Sequence, residues 1–100
     1  MSYLQCYAIK DEKAGFFMTP AYVKNVVEAI RGFTTLANSP GNNVSMFPAD
    51  YSLYLLHHLD EESGISKFTS SGVPELVSRA VDVLKPSING GSFEPATQKA

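Results

Sequence analysis

The residues in this chain able to do covalent or metal chemistry are few: one cysteine, Cys6, two histidines, His57 and His58, and ten carboxylates. Consecutive residues of a strand point to opposite faces, so His57 and His58, inside an apolar run, do not readily grip one ion together. A nucleophilic Cys6–His57 pair needs the two on neighbouring strands with an oxyanion site beside them. No motif supplies that site. The acidic groups Asp11-Glu12 and Asp60-Glu61-Glu62 lack the alternating oxygen ligands of a calcium loop and read as solvated hairpin tips. Neither Gly-x-Gly-x-x-Gly nor Gly-Lys-Ser/Thr occurs, so no phosphate-cradling loop is expected. These residues predict no enzyme, no bound metal and no cofactor.

The aromatic residues carry more information. Tyr3, Tyr7, Phe16, Phe17, Phe47, Tyr51, Tyr54 and Phe68 all fall in or beside stretches of β pattern. On a sheet covered by helices on one side, aromatics of the other side can stack on unpaired bases, with Lys10, Lys13 or Lys67 at the phosphates. Such a face serves equally well as a protein interface, and the residues alone favour that use. Lys24 and Arg31, with Glu28 between them, read as an ordinary solvated helix face. The chain has 8 Lys plus Arg against 10 Asp plus Glu, a net charge of -2. That balance argues against strong non-specific nucleic-acid binding through a cationic surface.

The elements that must position these residues are legible in order. Tyr3 to Lys10 reads as a strand, Asp11 to Gly15 as a turn with Gly15 at a positive-φ position, and Phe16 to Met18 as a second strand. Thr19 to Asn38 reads as an amphipathic helix. Val23, Val26, Val27, Ile30, Phe33 and Ala37 form its apolar stripe, Thr19 its N-cap and Pro20 its first turn. Asn38 to Asp50 reads as a long loop pinned to the core by Val44, Met46 and Phe47. Tyr51 to Leu59 is a third strand, Asp60 to Gly64 a turn and Ile65 to Thr69 a fourth strand. After the Ser70-Ser71-Gly72 linker, Pro74 to Lys85 reads as a second helix with Leu76, Val77, Ala80, Val81 and Leu84 on one face. Residues 87–100 have no period and read as a flexible tail.

Both turns follow the pattern Asp-Glu-x-small-Gly, each lies between two strands, and a helix is predicted after each. The chain therefore reads as two ββα units, although such residues are common in hairpin loops generally. The expected fold is α+β: a four-stranded antiparallel sheet, order 2-1-3-4, with two helices on one face. Residues 1–86 form the single domain. A chain of this length buries roughly 65% of its unfolded surface, enough for a core without disulfides. The lone cysteine rules out an internal disulfide framework. No basic stretch followed by an apolar run marks a secretory signal, and no apolar run is long enough to span a bilayer.

Across Tyr7 to Leu84 the chain resembles the small nonstructural, DNA-binding protein of the gokushovirus-type microviruses, phages with single-stranded DNA genomes. The resemblance rests on Tyr7-Ala8-Ile9-Lys10-Asp11, Phe17, Pro20, Asn25 and Ala29-Ile30-Arg31-Gly32-Phe33. It continues through Asn38-Ser39-Pro40, Pro48-Ala49-Asp50-Tyr51-Ser52-Leu53 and Asp60-Glu61-x-Ser63-Gly64. No single piece is specific; their order and spacing are distinctive. Two features depart from the family pattern. His57-His58-Leu59 stands where relatives commonly have a glycine and an aromatic, and the stretch after Lys85 is longer than usual. The resemblance implies a non-enzymatic phage protein of the host cytoplasm, not secreted, acting in replication of the viral single-stranded DNA. It implies binding to DNA; for that use the chain's own residue pattern offers Lys10, Lys13, Lys24, Arg31 and Lys67 to phosphates and Tyr7 and Tyr54 for stacking on bases. A homodimer is expected from the surplus of β-face aromatics. The alternative is a protein–protein interaction module that holds a host or phage replication or assembly factor.

Overall fold

The structure, a computed structural model, describes residues 2–86; the expected tail, 87–100, lies outside them. The organising elements are two long strands, β1 (Tyr3–Asp11) and β4 (Tyr51–Asp60), paired antiparallel along their whole length from Tyr3↔Asp60 to Asp11↔Tyr51. Each turns into a hairpin partner, β2 (Phe16–Phe17) and β5 (Ser66–Phe68). The resulting path β2-β1-β4-β5 is the predicted 2-1-3-4 order.

The two hairpin turns share one physical device. Asp11 Oδ1 accepts from the backbone N–H of Lys13 (3.1 Å) and Ala14 (3.0 Å), while Gly15 N–H donates to Asp11 O at 2.8 Å. Asp60 Oδ1 accepts from Glu62 N–H (2.9 Å), and Gly64 N–H donates to Asp60 O at 2.8 Å. The closing glycines have φ of 82° and 75°, a region costly for other L-residues. The Asp…Gly spacing thus encodes a side-chain-closed turn twice.

Two strands were not foreseen. β3 (Ala21–Val23) pairs with β1 at Gln5–Tyr7, and β6 (Glu75–Arg79) pairs with β4 at Ser52–Leu55. Each fills the half of a long strand that its hairpin partner leaves unpaired. The repeat is therefore three strands followed by a helical segment, and its two copies match in pairing.

This corrects both helix assignments. α1 (Val26–Asn38) begins seven residues after Thr19, with Asn25 as its N-cap. The Asn25 side chain accepts from Glu28 N–H at 3.0 Å, and Glu28 Oε1 accepts from Lys24 N–H at 3.0 Å. These two bonds make Asn-x-x-Glu a start signal of its own, close to a capping box but with Glu28 reaching one residue further back, to Lys24. Val26 and Val27 are exposed; the buried stripe is Ala29, Phe33 and Ala37, with Ile30 and Leu36 packed beside it. The predicted second helix is β6 followed by a 3-10 turn, Ala80–Val83. Tertiary pairing with the open edge of β4 outweighs a helix propensity that is worth only tenths of a kcal/mol per residue.

The loop before β4 holds a short helix, α2 (Asn43–Met46), capped by Asn42, and a 3-10 turn, Pro48–Asp50. Of its three expected anchors only Val44 is buried; Met46 and Phe47 are exposed. Asn38 ties α1 to the end of the chain. Its Nδ2 donates to Thr34 O (2.7 Å) and Val83 O (3.0 Å), and its Oδ1 accepts from Lys85 N–H (2.7 Å). One core results, in which Tyr7, Tyr51 and Leu53 of the sheet meet Ala29, Phe33 and Ala37 of α1, Val44 of α2 and Ala80. Both helices lie on that side of the sheet. Among the described residues, no helix is long and apolar enough to cross a membrane.

Candidate nucleic-acid interface

Because side chains alternate along a strand, the neighbours of the core-facing Tyr7, Ile9, Leu53 and Leu55 point away from the helices, and a bulge at Leu56 puts His57 on that side too, opposite Cys6. Cross-strand register arranges them in three rows. The first runs Tyr22, Cys6, His57, Phe68; the second Ala8, Tyr54, Leu76; the third Phe17, Lys10, Ser52, Arg79. The helices pack on the other side; on this one the small residues Cys6, Ala8 and Ser52 are buried while larger side chains stand out. Phe68 is 83% exposed, Leu76 54%, Tyr22 46% and Phe17 39%.

The third row and Tyr54 form one cluster. Phe17 and Tyr54 meet edge-to-face, ring centroids 5.5 Å apart at 85°. Lys10 Nζ lies 5.4 Å from the Phe17 centroid and 5.8 Å from that of Tyr54, within the reach of cation–π attraction. Glu12 extends to the same place: its Oε2 accepts from the Tyr54 hydroxyl at 2.7 Å, and its Oε1 lies 3.7 Å from Lys10 Nζ. The bond to Glu12 is the main reason the Tyr54 phenol is pushed up from its ordinary value, with burial and the negative charge adding to it. Tyr54 therefore stays a hydrogen-bond donor at neutral pH.

In the first row the Tyr22 hydroxyl and His57 Nε2 share a hydrogen bond at 3.1 Å, with the rings 5.8 Å apart. Beneath them Cys6 is fully buried. The strand pairing required for a Cys6–His57 contact does exist, but burial pushes the Cys6 thiol up, and the hydrogen bond to Tyr22 reverses only part of that. A thiol kept protonated and out of solvent is a poor nucleophile. Among the described residues, no three His, Cys, Asp or Glu side chains are grouped to hold a metal.

The cationic residues singled out from sequence do not converge. Lys10 alone is in the aromatic cluster. Lys13 sits at the tip of the β1–β2 turn, Lys24 just before α1 and Arg31 on the exposed side of α1, so the last two lie on the helix side of the molecule. Lys67, paired with His58 rather than His57, shares the side of Tyr3 and Gln5; its Nζ donates to the Tyr3 hydroxyl at 3.2 Å. Of the two tyrosines, Tyr54 belongs to the open face. Tyr7 does not: it is 5% exposed, in the helix-side core, with its hydroxyl donating to Gln5 Oε1 at 2.5 Å. A ring buried in that core does not stack on a base, contrary to the expectation for Tyr7. The residues missed are Tyr22 and Arg79, both assigned to helices; only the strand pairing brings them here.

On the helix side, a cleft of about 200 Å³ between β1, β3 and α1 is lined by Ile9, Val23, Ala29, Phe33 and Leu53 among others. It is smaller than the roughly 300 Å³ at which small-molecule sites begin.

The fold and this face define a class: a small α+β protein whose antiparallel sheet is covered by helices on one side and lined with exposed aromatics on the other. The chain belongs to the phage ORF5 protein family, whose model matches residues 4–83. Comparison with curated proteins and with solved structures gives no match.

Proposed function

We propose that this is a non-enzymatic phage protein of the gokushovirus-type microviruses that binds single-stranded DNA on the open side of its sheet, in the host cytoplasm, during genome replication. The observation that carries this is the concentration of Phe17, Tyr22, Tyr54, His57 and Phe68 on one uncovered face, with Lys10 and Arg79 in its third row. Single-stranded DNA offers unpaired bases that stack on such rings for about 1–3 kcal/mol each, whereas duplex DNA hides them. Two cations supply a weaker, salt-dependent part. At about 0.7 per phosphate contact on single strands, they give a slope of log affinity on log salt near -1.4. Stacking outweighs charge here, which reconciles nucleic-acid binding with a net charge of -2.

The test is a fluorescence-anisotropy titration of a labelled oligothymidine and a labelled duplex at two salt concentrations. Binding of the single strand in preference to the duplex, with that shallow slope, is expected. No binding of the single strand at low salt overturns the proposal.

A second reading is favoured by Leu76 and Phe68, which add exposed apolar surface to the same face. Here a protein partner, a replication factor or a second copy of this chain, covers the sheet. A homodimer built through this face competes with DNA. Its mass by light scattering then falls to that of the monomer as oligothymidine is added. A dimer mass unchanged by saturating DNA overturns the shared use of the face.

A further inference from the structure

Glu12 is the anomaly of this face. A carboxylate beside a polyanion is repelled by its phosphates, so it favours binding only if it touches a base. Its Oε2 accepts from the Tyr54 hydroxyl, while its Oε1 stands 3.7 Å from Lys10 Nζ, outside hydrogen-bond distance. Oε1 therefore keeps its lone pairs open, and Oε2 keeps one. Lys10 lies against the two rings and pairs with Glu12 at 3.7 Å without a hydrogen bond to it, so its N–H donors are not spent on the carboxylate. The side chains of Lys10 and Glu12 are both partly exposed, 29% and 35%. The cluster thus presents, side by side, a stacking ring, a double acceptor and a cationic donor.

We infer that the Phe17–Tyr54–Lys10–Glu12 cluster is a guanine-selective base site, with Glu12 accepting from guanine N1–H and N2–H and Lys10 donating to O6. Among the four bases only guanine carries two adjacent donors next to an acceptor on its Watson–Crick edge, the edge that single strands expose. Cytosine and adenine offer the carboxylate one amino group, and thymine one ring N–H. The inference rests on the proposed base-binding use of the face and adds its selectivity.

The test uses the full chain and competition for labelled oligothymidine by unlabelled oligothymidines carrying one central guanine, hypoxanthine, adenine or cytosine. The guanine oligonucleotide is expected to compete at least about fivefold more strongly than oligothymidine, the low end for a bidentate base contact. Hypoxanthine, lacking the N2 amine, loses most of that gain. Glu12→Ala, whose fold is checked by its melting curve, no longer distinguishes guanine from the other bases. Lys10→Met retains part of the preference. Equal competition by all the oligonucleotides, or a guanine preference that survives Glu12→Ala, overturns the guanine assignment and leaves stacking intact. Failure to bind any oligonucleotide overturns the base-binding reading and the guanine site together.

Discussion

Phe17→Ala separates stacking from charge. Phe17 sits in the two-residue strand β2, paired with Lys10, and its backbone bonds do not depend on the ring. Removing the ring takes away an edge-to-face contact with Tyr54, worth about 0.5–1.5 kcal/mol, and a cation–π contact with Lys10, worth about 0.5–1 kcal/mol. The expected loss of stability is therefore about 1–2.5 kcal/mol. Set against the 5–15 kcal/mol typical of a domain, this leaves the variant folded. Its loss of affinity for oligothymidine is that of one stacked base, about 1–3 kcal/mol, or roughly 5- to 150-fold. The salt slope stays near its wild-type value because no cation has been removed. Arg79→Gln gives the complementary result: a modest loss at low salt and a slope that falls from about -1.4 to about -0.7. Anisotropy titrations at three or more salt concentrations yield both quantities from one series. Wild-type affinity in folded Phe17→Ala, or an altered slope at unchanged low-salt affinity, refutes the argument that this ring is a base platform.

Gly32 lies in the middle of α1, and an added Cβ there meets no atom within 4 Å. Gly32→Ala should stabilise the chain by about 0.5–1 kcal/mol, raising the midpoint of urea unfolding. Cys6 should react with Ellman's reagent at neutral pH only as fast as the protein opens, and at once in urea, because burial keeps the thiol protonated and inaccessible; rapid labelling of the native chain would contradict its place under Tyr22. Asp60 is held below the usual carboxylate range chiefly by the Glu62 backbone N–H, and Glu75 chiefly by the Ser71 hydroxyl. Both are ionised more readily folded than unfolded. Their contribution is complete above about pH 4, the unfolded value, and is lost as pH falls through the lower folded values. Asp60→Asn and Glu75→Gln should therefore narrow their stability gap from wild type in acid, as read from melting temperatures.

The hairpins were legible because their signals are local. Asp11…Gly15 and Asp60…Gly64 fix two turns within five residues each, and the β-rich runs on either side pair through them. The order of those four strands followed from the same information. Residues 19–25 and 74–79 were not legible. Their apolar spacing suits a helix, and what makes them strands is the unpaired backbone of β1 and β4, a partner far away in sequence. Tyr22 and Arg79 were lost from the candidate face for that reason. Tyr7 was wrongly placed on it because alternation gives two faces without saying which one the helices cover.

By itself, the sequence determined what short-range chemistry can determine. It set an α+β chain with two Asp-Gly hairpins, an amphipathic helix with Ile30, Phe33 and Ala37 on its apolar face, no nucleotide-phosphate loop, and a surplus of aromatics. The tertiary structure decided what depends on pairing at a distance. It sent Tyr7 inward and Tyr54 outward, buried Cys6 beneath Tyr22 and His57, and joined Glu12 to Tyr54 across 42 residues of chain. It also divided the cations between opposite sides of the sheet. Strand register is the physical reason, since a shift of one residue reverses every side chain between core and solvent.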